Sequence, residues 1–166
     1  MRPKTPVYIL LDFSVHFNDN ESEIVTMFLV IKIWNQNHKD WDIYYDDTFV
    51  TCYHNQDTVG KTTIPRLHQK RHKTTTFLQL QLIVDRRKWS SLIKCTADKS
   101  TAKLQVDVAT RIKYRLLGIK IKHHSLKLSC RFSVGSDGNI SGKKKVRLQR
   151  RPAKWKIRRS LDEIWI

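Results

Sequence analysis

Apolar and polar residues alternate along most of this chain with a period of two, not the period of 3.6 that marks an amphipathic helix. From Val7 to Phe17 every odd-numbered residue is apolar, and from Thr101 to Leu116 mainly apolar positions alternate with mainly charged and amide positions. Because successive side chains of a strand point to opposite faces of a sheet, both segments are predicted to be strands with one buried face. Ile24–Trp34 is almost continuously apolar, which predicts a strand buried on both faces.

Shorter strands are predicted wherever an apolar run is bounded by polar turn residues. Residues 54–57 (HNQD) are predicted to form a hairpin turn, and residues 135–138 (GSDG) a second tight turn. The basic segment from Pro65 to Lys73 is predicted to be a loop. The shorter predicted strands cover residues 41–45, 48–53, 59–64, 74–84, 126–134 and 143–148.

A helix is predicted only for residues 85–99. Asp85 can cap its N-terminus, and Trp89, Leu92 and Ile93 form an apolar stripe at helical spacing. The whole pattern predicts an all-β, mainly antiparallel fold, an immunoglobulin- or fibronectin-like β-sandwich of about seven to eight strands with its short helix at about residues 86–97. We predict a single domain over residues 1–149 and a basic C-terminal tail over residues 150–166.

The composition favours a packed domain over a disordered chain. Hydrophobic residues make up 40% of the sequence, and 5 Trp, 5 Tyr and 6 Phe are too many for a solvated coil. Only 3 Cys are present, without a CxxC pair, which argues against a disulfide scaffold or a structural zinc module. The apolar runs are shorter than the roughly 20 residues of a membrane span, and no signal peptide is visible.

The chain is strongly basic, with 32 Lys and Arg against 15 Asp and Glu and a formal net charge of +17. The predicted tail holds six Lys and Arg against two acidic residues, so most of the excess positive charge lies on the predicted domain. Such a charge favours a polyanionic neighbour, which could be nucleic acid, anionic lipid or an acidic polysaccharide. The alternative is a solvated basic surface that serves solubility alone.

The outward positions of the predicted long strands are mostly cationic. If these strands are neighbours, their outward side chains form one basic sheet face, because alternate residues lie about 7 Å apart and their fields add within a Debye length of about 8 Å. We expect this face to bind polyanions weakly, without sequence preference, and less as salt rises. The candidate polyanion-binding residues are Lys103, Arg111, Lys113, Arg115, Lys120, Lys122, Lys127 and Arg131.

No catalytic motif is found, because GxSxG, P-loop and HExxH sequences are all missing from the chain. Asp46 and Asp47 are adjacent carboxylates at a predicted strand end, where they are predicted to shape a turn. His68 and His72 could share a metal on a helix, but Pro65 and the surrounding basic residues favour a solvated loop. The sequence therefore predicts no enzyme, no catalytic, cofactor-binding or metal-binding residue, and no small-molecule substrate.

Cys130 and two asparagines are the remaining candidates for chemistry. Cys130 is in phase with Leu128 and Phe132, which predicts a buried, slowly reacting thiol rather than half of a disulfide bond. The sequons NES and NIS fall in predicted turns. Asn20 and Asn139 are therefore candidate glycosylation sites if the domain enters the secretory pathway.

Three blocks of sequence resemble a plant family. Residues 35–47 (NQNHKDWDIYYDD) resemble the NPNKKIGIYYD segment of late-embryogenesis-abundant group 2 domains, and more closely their NDR/HIN-like branch. Residues 59–76 (VGKTTIPRLHQKRHKTTT) are similar to that family's LGxGxLPxFYQGxKNTT. The third block is the order of a short helix, a long basic strand and a strand ending in LKLSC at Cys130. The resemblance runs from about Pro6 to Leu148, in family order.

The resemblance implies a β-sandwich with one short helix and no enzymatic activity. Typical members are single-pass plasma-membrane proteins associated with defence and stress, whose domain lies outside the cell. A wall-facing domain would meet demethylated pectin or anionic headgroups, so acidic cell-wall polysaccharide and anionic membrane are the partners expected here, with no cofactor.

The sequence departs from the family pattern at three places. The segment before Pro6 is too short for the family's anchor helix, which leaves open a truncated product, a fragment, or a soluble relative that is cytosolic or secreted. The FYQG position reads LHQK at residues 67–70. Members often carry a second Cys that pairs with the one at position 130, and here that region reads KKKV at residues 143–146.

Two rival functions remain open. One is a basic nucleic-acid-binding domain, favoured by the net charge and by the RRPAKWKIRR sequence of residues 150–159. Against it, the outward cations are predicted to lack the interleaved aromatic residues that stack bases. The other rival is a soluble desiccation-protective protein of the same fold.

Overall fold

The computed structural model describes residues 3–17, 24–37, 41–71, 75–96, 101–116, 119–135, 137–141 and 145–151. Twelve strands and one helix lie in these ranges. The elements are β1 (Val7–Phe17), β2 (Ile24–Trp34), β3 (Trp41–Tyr45), β4 (Thr48–His54), β5 (Asp57–Ile64), β6 (Leu67–Gln69), β7 (Thr75–Asp85), α1 (Arg86–Thr96), β8 (Thr101–Leu116), β9 (Ile119–Gly135), β10 (Ile140–Ser141), β11 (Val146–Arg147) and β12 (Gln149–Arg150).

The strands form two antiparallel sheets. The smaller sheet has four strands in the order β11-β1-β2-β7. The larger sheet has eight strands and is built around the long strand β8. β9 pairs along one edge of β8, while β4 and β3 share its other edge. β6 extends from β3, β5 from β4, and both β10 and β12 pair with β9.

The core lies between the two sheets. Phe13 of the smaller sheet meets Phe132 of the larger one with ring centroids 5.1 Å apart, and Tyr8 meets Tyr45 edge to face at 6.4 Å. Trp89 of α1 is also fully buried in this core. The predicted all-β sandwich with one short helix is therefore confirmed, but the described residues contain twelve strands rather than the predicted seven to eight, because short pairings such as β6, β10, β11 and β12 add to the sheets.

The first strand departs from its predicted phase because it contains a bulge. Leu10 pairs with Ile31 and Asp12 with Val30, so Leu11 is an extra residue on β1. Apart from Val7, which is also buried, the buried side chains before the bulge are even-numbered, as at Tyr8, and those after it are odd-numbered. The prediction that Ile9 and Leu11 are buried is thus wrong, and both are half-buried.

The second strand is not buried on both faces as its sequence predicts. Met27, Leu29 and Ile31 face the core, whereas Phe28 and Val30 alternate with them and are half-buried. The outer face of this sheet carries no helix among the described residues, so these apolar side chains stay partly in contact with solvent.

Several short pairings were not predicted. The segment from Pro65 to Lys73 is not wholly a loop, because Leu67–Gln69 pairs with β3. β9 begins at Ile119, seven residues before the predicted start at residue 126. Arg150 pairs with Leu128, so the predicted boundary between domain and tail falls inside β12. Residues 152–166 of the tail lie outside the described ranges.

The predicted turn and cap residues have the geometry that their sequences require. Asn55 and Gln56 both have positive φ, at 49° and 74°, as the two central residues of a tight hairpin turn do. Asp85 caps α1, because its Oδ1 accepts a hydrogen bond from the N–H of Arg87 at 2.8 Å. Within the described ranges, no helix has the length and apolarity needed to cross a bilayer.

Candidate functional site

The outer face of the larger sheet, meaning the face turned away from the smaller sheet, gathers the predicted cations. β8 and β9 are paired neighbours, with Gln105 opposite Arg131 and Ala109 opposite Lys127. Lys120 and Lys122 belong to β9 by their backbone, and their side chains lie outside the description. The described members of the predicted set on this face are Lys103, Arg111, Lys113, Arg115, Lys127 and Arg131.

These cations differ in their solvent exposure. Arg111 and Lys127 are exposed, whereas Lys113 and Arg115 are half-buried. Neighbouring strands lie about 4.8 Å apart and alternate residues about 7 Å apart, so adjacent charges lie within one Debye length of about 8 Å at physiological salt. Their positive fields therefore reinforce one another over this face.

Tyr44 of β3 organises two of the cations on the outer face. The Nζ atom of Lys113 and the Cζ atom of Arg115 lie 5.7 Å and 5.4 Å from the centroid of its ring, within reach of cation–π attraction. Arg115 also donates a hydrogen bond from Nη1 to the Tyr44 hydroxyl at 3.1 Å. The prediction that aromatic residues are not interleaved with the outward cations is therefore wrong.

His68 lies beside this cluster, on β6 rather than in the predicted loop. Its ring stacks on Tyr44 with centroids 4.1 Å apart and planes 6° from parallel. Its Nε2 atom lies 3.3 Å from Oδ2 of Asp42, whose other carboxylate oxygen accepts a hydrogen bond from the N–H of Arg71. Among the described residues no three His, Cys, Asp or Glu side chains cluster as metal ligands do, and His72 lies outside them.

Asp107 also belongs to the outer face by strand register, yet it is only 2% exposed. Its carboxylate accepts hydrogen bonds from Ser129 Oγ at 2.6 Å and from Gln105 Nε2 at 2.8 Å. Arg151 covers it, with Nη2 3.5 Å from Oδ2. This pair could not be predicted from alternation, because Arg151 lies in the predicted tail and Asp107 in a row of mostly solvated residues.

A shallow groove of about 380 Å³ opens on the outer face where β4, β8 and β9 run side by side. Phe49, Ala109 and Lys127 lie in one row across these strands, and Phe49 is 58% exposed. Arg111 lies one outward position further along β8, since residues i and i+2 share a face. The lining residues are Asp46, Asp47, Phe49, Arg66, Ala109, Thr110, Arg111, Ser125 and Lys127.

Asp46 and Asp47 shape the turn between β3 and β4, as predicted. The N–H of Asp46 donates to the carbonyl of Arg111 at 2.9 Å. The hydroxyl of Thr110 is 3.1 Å from the carbonyl of Asp46 and 3.3 Å from that of Asp47. These contacts hold the turn against β8, so one rim of the groove is fixed in position.

Two asparagines in the first family-like block hold a corner of the fold. Asn35 donates from Nδ2 to the carbonyl of Trp41 at 2.9 Å and accepts from the N–H of Asn37 at 3.1 Å. Asn37 also binds the backbone of Lys4, through both its amide oxygen and its amide nitrogen. Both asparagines are buried. Because both asparagines hydrogen-bond to backbone groups inside the fold, their role in this motif is structural.

Gln69 in the second family-like block links the two sheets. It is fully buried, and its Oε1 accepts a hydrogen bond from the Tyr45 hydroxyl at 2.5 Å. Its Nε2 donates to the carbonyl of Ile33 at 2.9 Å and lies 3.2 Å from Oγ1 of Thr76. This glutamine therefore connects β3 and β6 of the larger sheet to β2 and β7 of the smaller one.

Cys52 and Cys130 are buried free thiols on the inner face of the larger sheet. Cys52 and Cys130 both lie opposite Val106, on the two sides of β8. Two strand spacings of about 4.8 Å each keep their backbones too far apart for a disulfide bond. Burial raises the pKa of both thiols to about 12. The side chain of Cys95 lies outside the description.

The two candidate glycosylation residues have different positions. Asn139 is exposed directly after the predicted tight turn of residues 135–138, and its carbonyl accepts a hydrogen bond from the N–H of Gly135 at 3.0 Å. Asn20 lies outside the described residues. Glycosylation at either residue stays a prediction.

Comparison with known proteins places these residues in a family. The family model described as "Late embryogenesis abundant protein" (LEA_2) matches residues 32–131, more than half of the chain. The chain belongs to the LEA_2 family. Comparison with curated protein sequences gave no match.

Two solved structures are similar to this LEA_2 domain. The solution structure of AT1g01470 from Arabidopsis thaliana superimposes with a TM-score of 0.59 at 14% identity, covering 81% of this chain and 83% of that one. A crystal structure of a protein from Archaeoglobus fulgidus gives a TM-score of 0.40 at 12% identity, covering 75% and 97%. The first match shows that this LEA_2 domain shares a fold with the Arabidopsis protein. LEA_2 membership implies a stress-associated protein of a generally non-enzymatic family.

Proposed function

We propose that this LEA_2 domain is a non-enzymatic stress- and defence-associated module of the NDR/HIN-like kind that contacts a polyanion through the outer face of its larger sheet. The polyanion would be an acidic cell-wall polysaccharide or an anionic membrane surface. In the arrangement typical of that branch, the domain is tethered at the plasma membrane and faces the apoplast.

The observation that carries the proposal is the pairing of β8 with β9. This pairing brings cations that are distant in sequence onto one face, where Arg111, Lys127 and Arg131 are exposed. Asp107, an acid on the same face, is buried and paired with Arg151, so it adds little negative field to the surface. Such a face attracts anions broadly through its charge, which does not depend on a base sequence.

The test is binding of polygalacturonate, and separately of anionic phospholipid vesicles, at increasing salt. We expect binding at low salt that falls steeply with ionic strength and is almost lost at about 0.5 M, where the Debye length is only a few ångströms. Replacing Arg111, Lys113 and Arg115 together by Gln should weaken binding by at least tenfold. Binding that survives high salt would contradict an electrostatic contact.

A control variant separates the position of the charges from their number. Lys4, Lys32 and Arg87 lie away from the outer face, on the N-terminal segment, on β2 and on α1. Replacing these three by Gln removes the same net charge. The control variant should keep most of the binding, and an equal loss in both variants would show that net charge alone acts. Circular dichroism checks that both variants are folded.

A nucleic-acid-binding domain is the second candidate, and one observation favours it. Tyr44 and the exposed Phe49 lie among cations on the outer face, as aromatic residues do in proteins that stack bases. However, the ring of Tyr44 already stacks on His68 and has two cations beside it. A strong preference for one DNA or RNA sequence in the same binding assay would replace the polyanion proposal by this one.

A further inference from the structure

We propose that the groove between Phe49 and Lys127 is a binding site for uronate units of an acidic polysaccharide. This inference rests on the proposed function, because it names one ligand class and one recognition point within the outer face. The rest of the face would then attract the polymer, and the groove would select it.

The groove exists because a small residue separates two large ones. Phe49, Ala109 and Lys127 lie in one row across three strands, so the aromatic ring and the ammonium group are two strand spacings apart, about 10 Å at the backbone. Ala109 has only a methyl group and leaves a hollow between them. The width of this hollow suits one flat ring, with a charged substituent of that ring directed towards Lys127 on β9.

The side chains around the hollow match the chemistry of a sugar acid. The exposed ring of Phe49 offers an apolar surface on which the C–H face of a pyranose ring can pack. Lys127 lies on the opposite side and Arg111 one outward position further along β8, and both can form charge-assisted hydrogen bonds to a carboxylate. A site of this kind, with an apolar floor and a few placed polar groups, is typical of small-ligand recognition.

Two acids on the rim favour a uronate over a polyphosphate. Asp46 and Asp47 line the same groove, and their turn is held against β8 by Thr110. Carboxylates accept hydrogen bonds from sugar hydroxyl groups but repel closely spaced phosphates. A uronate presents one carboxylate per ring and hydroxyl groups elsewhere on the ring. The three cations that line the groove, Arg66, Arg111 and Lys127, can bind the carboxylate, while the two acids accept hydrogen bonds from the hydroxyl groups.

The experiment compares oligogalacturonate with inorganic polyphosphate of matched total charge, both titrated into the whole protein. Phe49→Ala removes the aromatic surface, and Ala109→Leu fills the hollow without changing any charge. We expect each variant to bind oligogalacturonate roughly tenfold more weakly, which is the loss that corresponds to about 1.4 kcal/mol of stacking. Polyphosphate binding should change by less than about twofold, because it needs only the charges.

A matched control is available on the other sheet. Phe77 is 63% exposed on β7, close to the exposure of Phe49, but lies outside the groove. Phe77→Ala should bind both ligands as the wild type does. Fully methyl-esterified oligogalacturonate, which lacks the carboxylate charge, should bind at least tenfold more weakly than the acid to the wild type.

Each contrary outcome has its own meaning. If Phe49→Ala and Ala109→Leu both bind oligogalacturonate like the wild type, the groove is not the site, although the outer face can still be the polyanion surface. If the wild type binds neither ligand even at low salt, the proposed function itself is wrong. If Phe49→Ala weakens single-stranded DNA binding as much as oligogalacturonate binding, the groove stacks bases and the uronate assignment is overturned.

Discussion

Arg151 pairs with Asp107 across β9, with its Nη2 atom 3.5 Å from Oδ2 and both side chains nearly inaccessible to solvent. Breaking a buried ion pair leaves an uncompensated charge and costs about 3 kcal/mol. We therefore expect Arg151→Gln and Asp107→Asn each to lower the free energy of unfolding by about 2–4 kcal/mol in urea denaturation.

The double variant measures the interaction energy between Arg151 and Asp107 separately from the effect of changing each side chain. Because neither partner then carries a charge, Arg151→Gln combined with Asp107→Asn should be less destabilised than the sum of the single changes, with a coupling energy of about 1–3 kcal/mol. Arg147 is an exposed arginine four residues earlier and serves as the control. Arg147→Gln should change stability by less than about 0.5 kcal/mol. Strict additivity would contradict the pairing.

The thiols of Cys52 and Cys130 should react slowly in the native protein. Their pKa is raised by burial to about 12, so at pH 8 the thiolate fraction is about three orders of magnitude below that of an unperturbed cysteine. Peptide mass spectrometry after iodoacetamide treatment resolves them from Cys95. Labelling of either buried thiol within minutes, without denaturant, would show that the core opens readily.

Stability should fall in alkaline solution. Burial raises the pKa of Cys52 and Cys130 from 9.0 to about 12, and that of the Tyr114 hydroxyl from 10.0 to about 12. Between these pKa values the unfolded chain releases protons that the folded chain keeps. The contribution of these groups to the free energy of unfolding is therefore fully present below about pH 9 and is lost progressively as the pH rises to about 12. Each group adds a slope of about −1.4 kcal/mol per pH unit between its ordinary pKa, 9.0 for the thiols and 10.0 for Tyr114, and its raised one.

The cysteine contribution to this slope can be isolated. A variant carrying Cys52→Ala and Cys130→Ala is destabilised at every pH by the cavities it creates, so the slope is the informative quantity. The free energy of unfolding, measured by urea denaturation between pH 9 and 10 and so below the ordinary pKa of tyrosine, should fall less steeply with pH in this variant. An unchanged slope would mean that other groups titrate there.

Gln56→Gly should stabilise the protein. Gln56 has a φ of 74°, a conformation that costs a residue with a Cβ atom about 1 kcal/mol and glycine almost nothing. After the larger backbone entropy that glycine loses on folding, a net gain of about 0.5 kcal/mol remains. Gln79→Gly on β7, where φ is not positive, should instead lower stability, and thermal denaturation measures both. A loss of stability in Gln56→Gly would contradict the hairpin geometry.

Gln69→Leu should be strongly destabilising despite its similar volume. The change removes the partner of the Tyr45 hydroxyl and of the Ile33 carbonyl, both between the sheets, at a cost of about 2–4 kcal/mol. Gln81 is an exposed glutamine on β7, and Gln81→Leu should change stability by less than about 0.5 kcal/mol. Equal effects of the two changes would show that the amide of Gln69 is dispensable.

The sequence was most informative where alternation was unambiguous and least where both strand phases were apolar. β8 shows its inward and outward sets directly, because a charged residue alternates with an apolar one. In β1 the residues Ile9, Leu10 and Leu11 are all apolar, so the pattern is compatible with either set of residues facing the core. The bulge at Leu11 therefore cannot be predicted from the sequence. Only the pairing with β2 decides which side chains are buried.

The candidate site could be predicted in its charges but not in its shape. The outward cations of β8 follow from strand geometry, whereas the groove depends on Phe49 lying beside Ala109, and these residues are 60 positions apart. Likewise, the burial of Asp107 depends on Arg151, which belongs to a segment with no periodic pattern. Contacts between distant segments of a sheet are set by strand order, which alternation alone does not encode.

The last described strands, residues 146–150, join both sheets, since β11 pairs with β1 and β12 with β9. Between them Leu148 is buried, and its N–H donates to the carbonyl of Tyr8 at 2.9 Å. The pairing of Ile9 with Arg147 closes a loop of almost the whole described chain, so it has a large entropic cost and should form late in folding. During synthesis the edge of β1 therefore has no partner until these residues leave the ribosome, and we expect the nascent chain to be most vulnerable to aggregation in that interval.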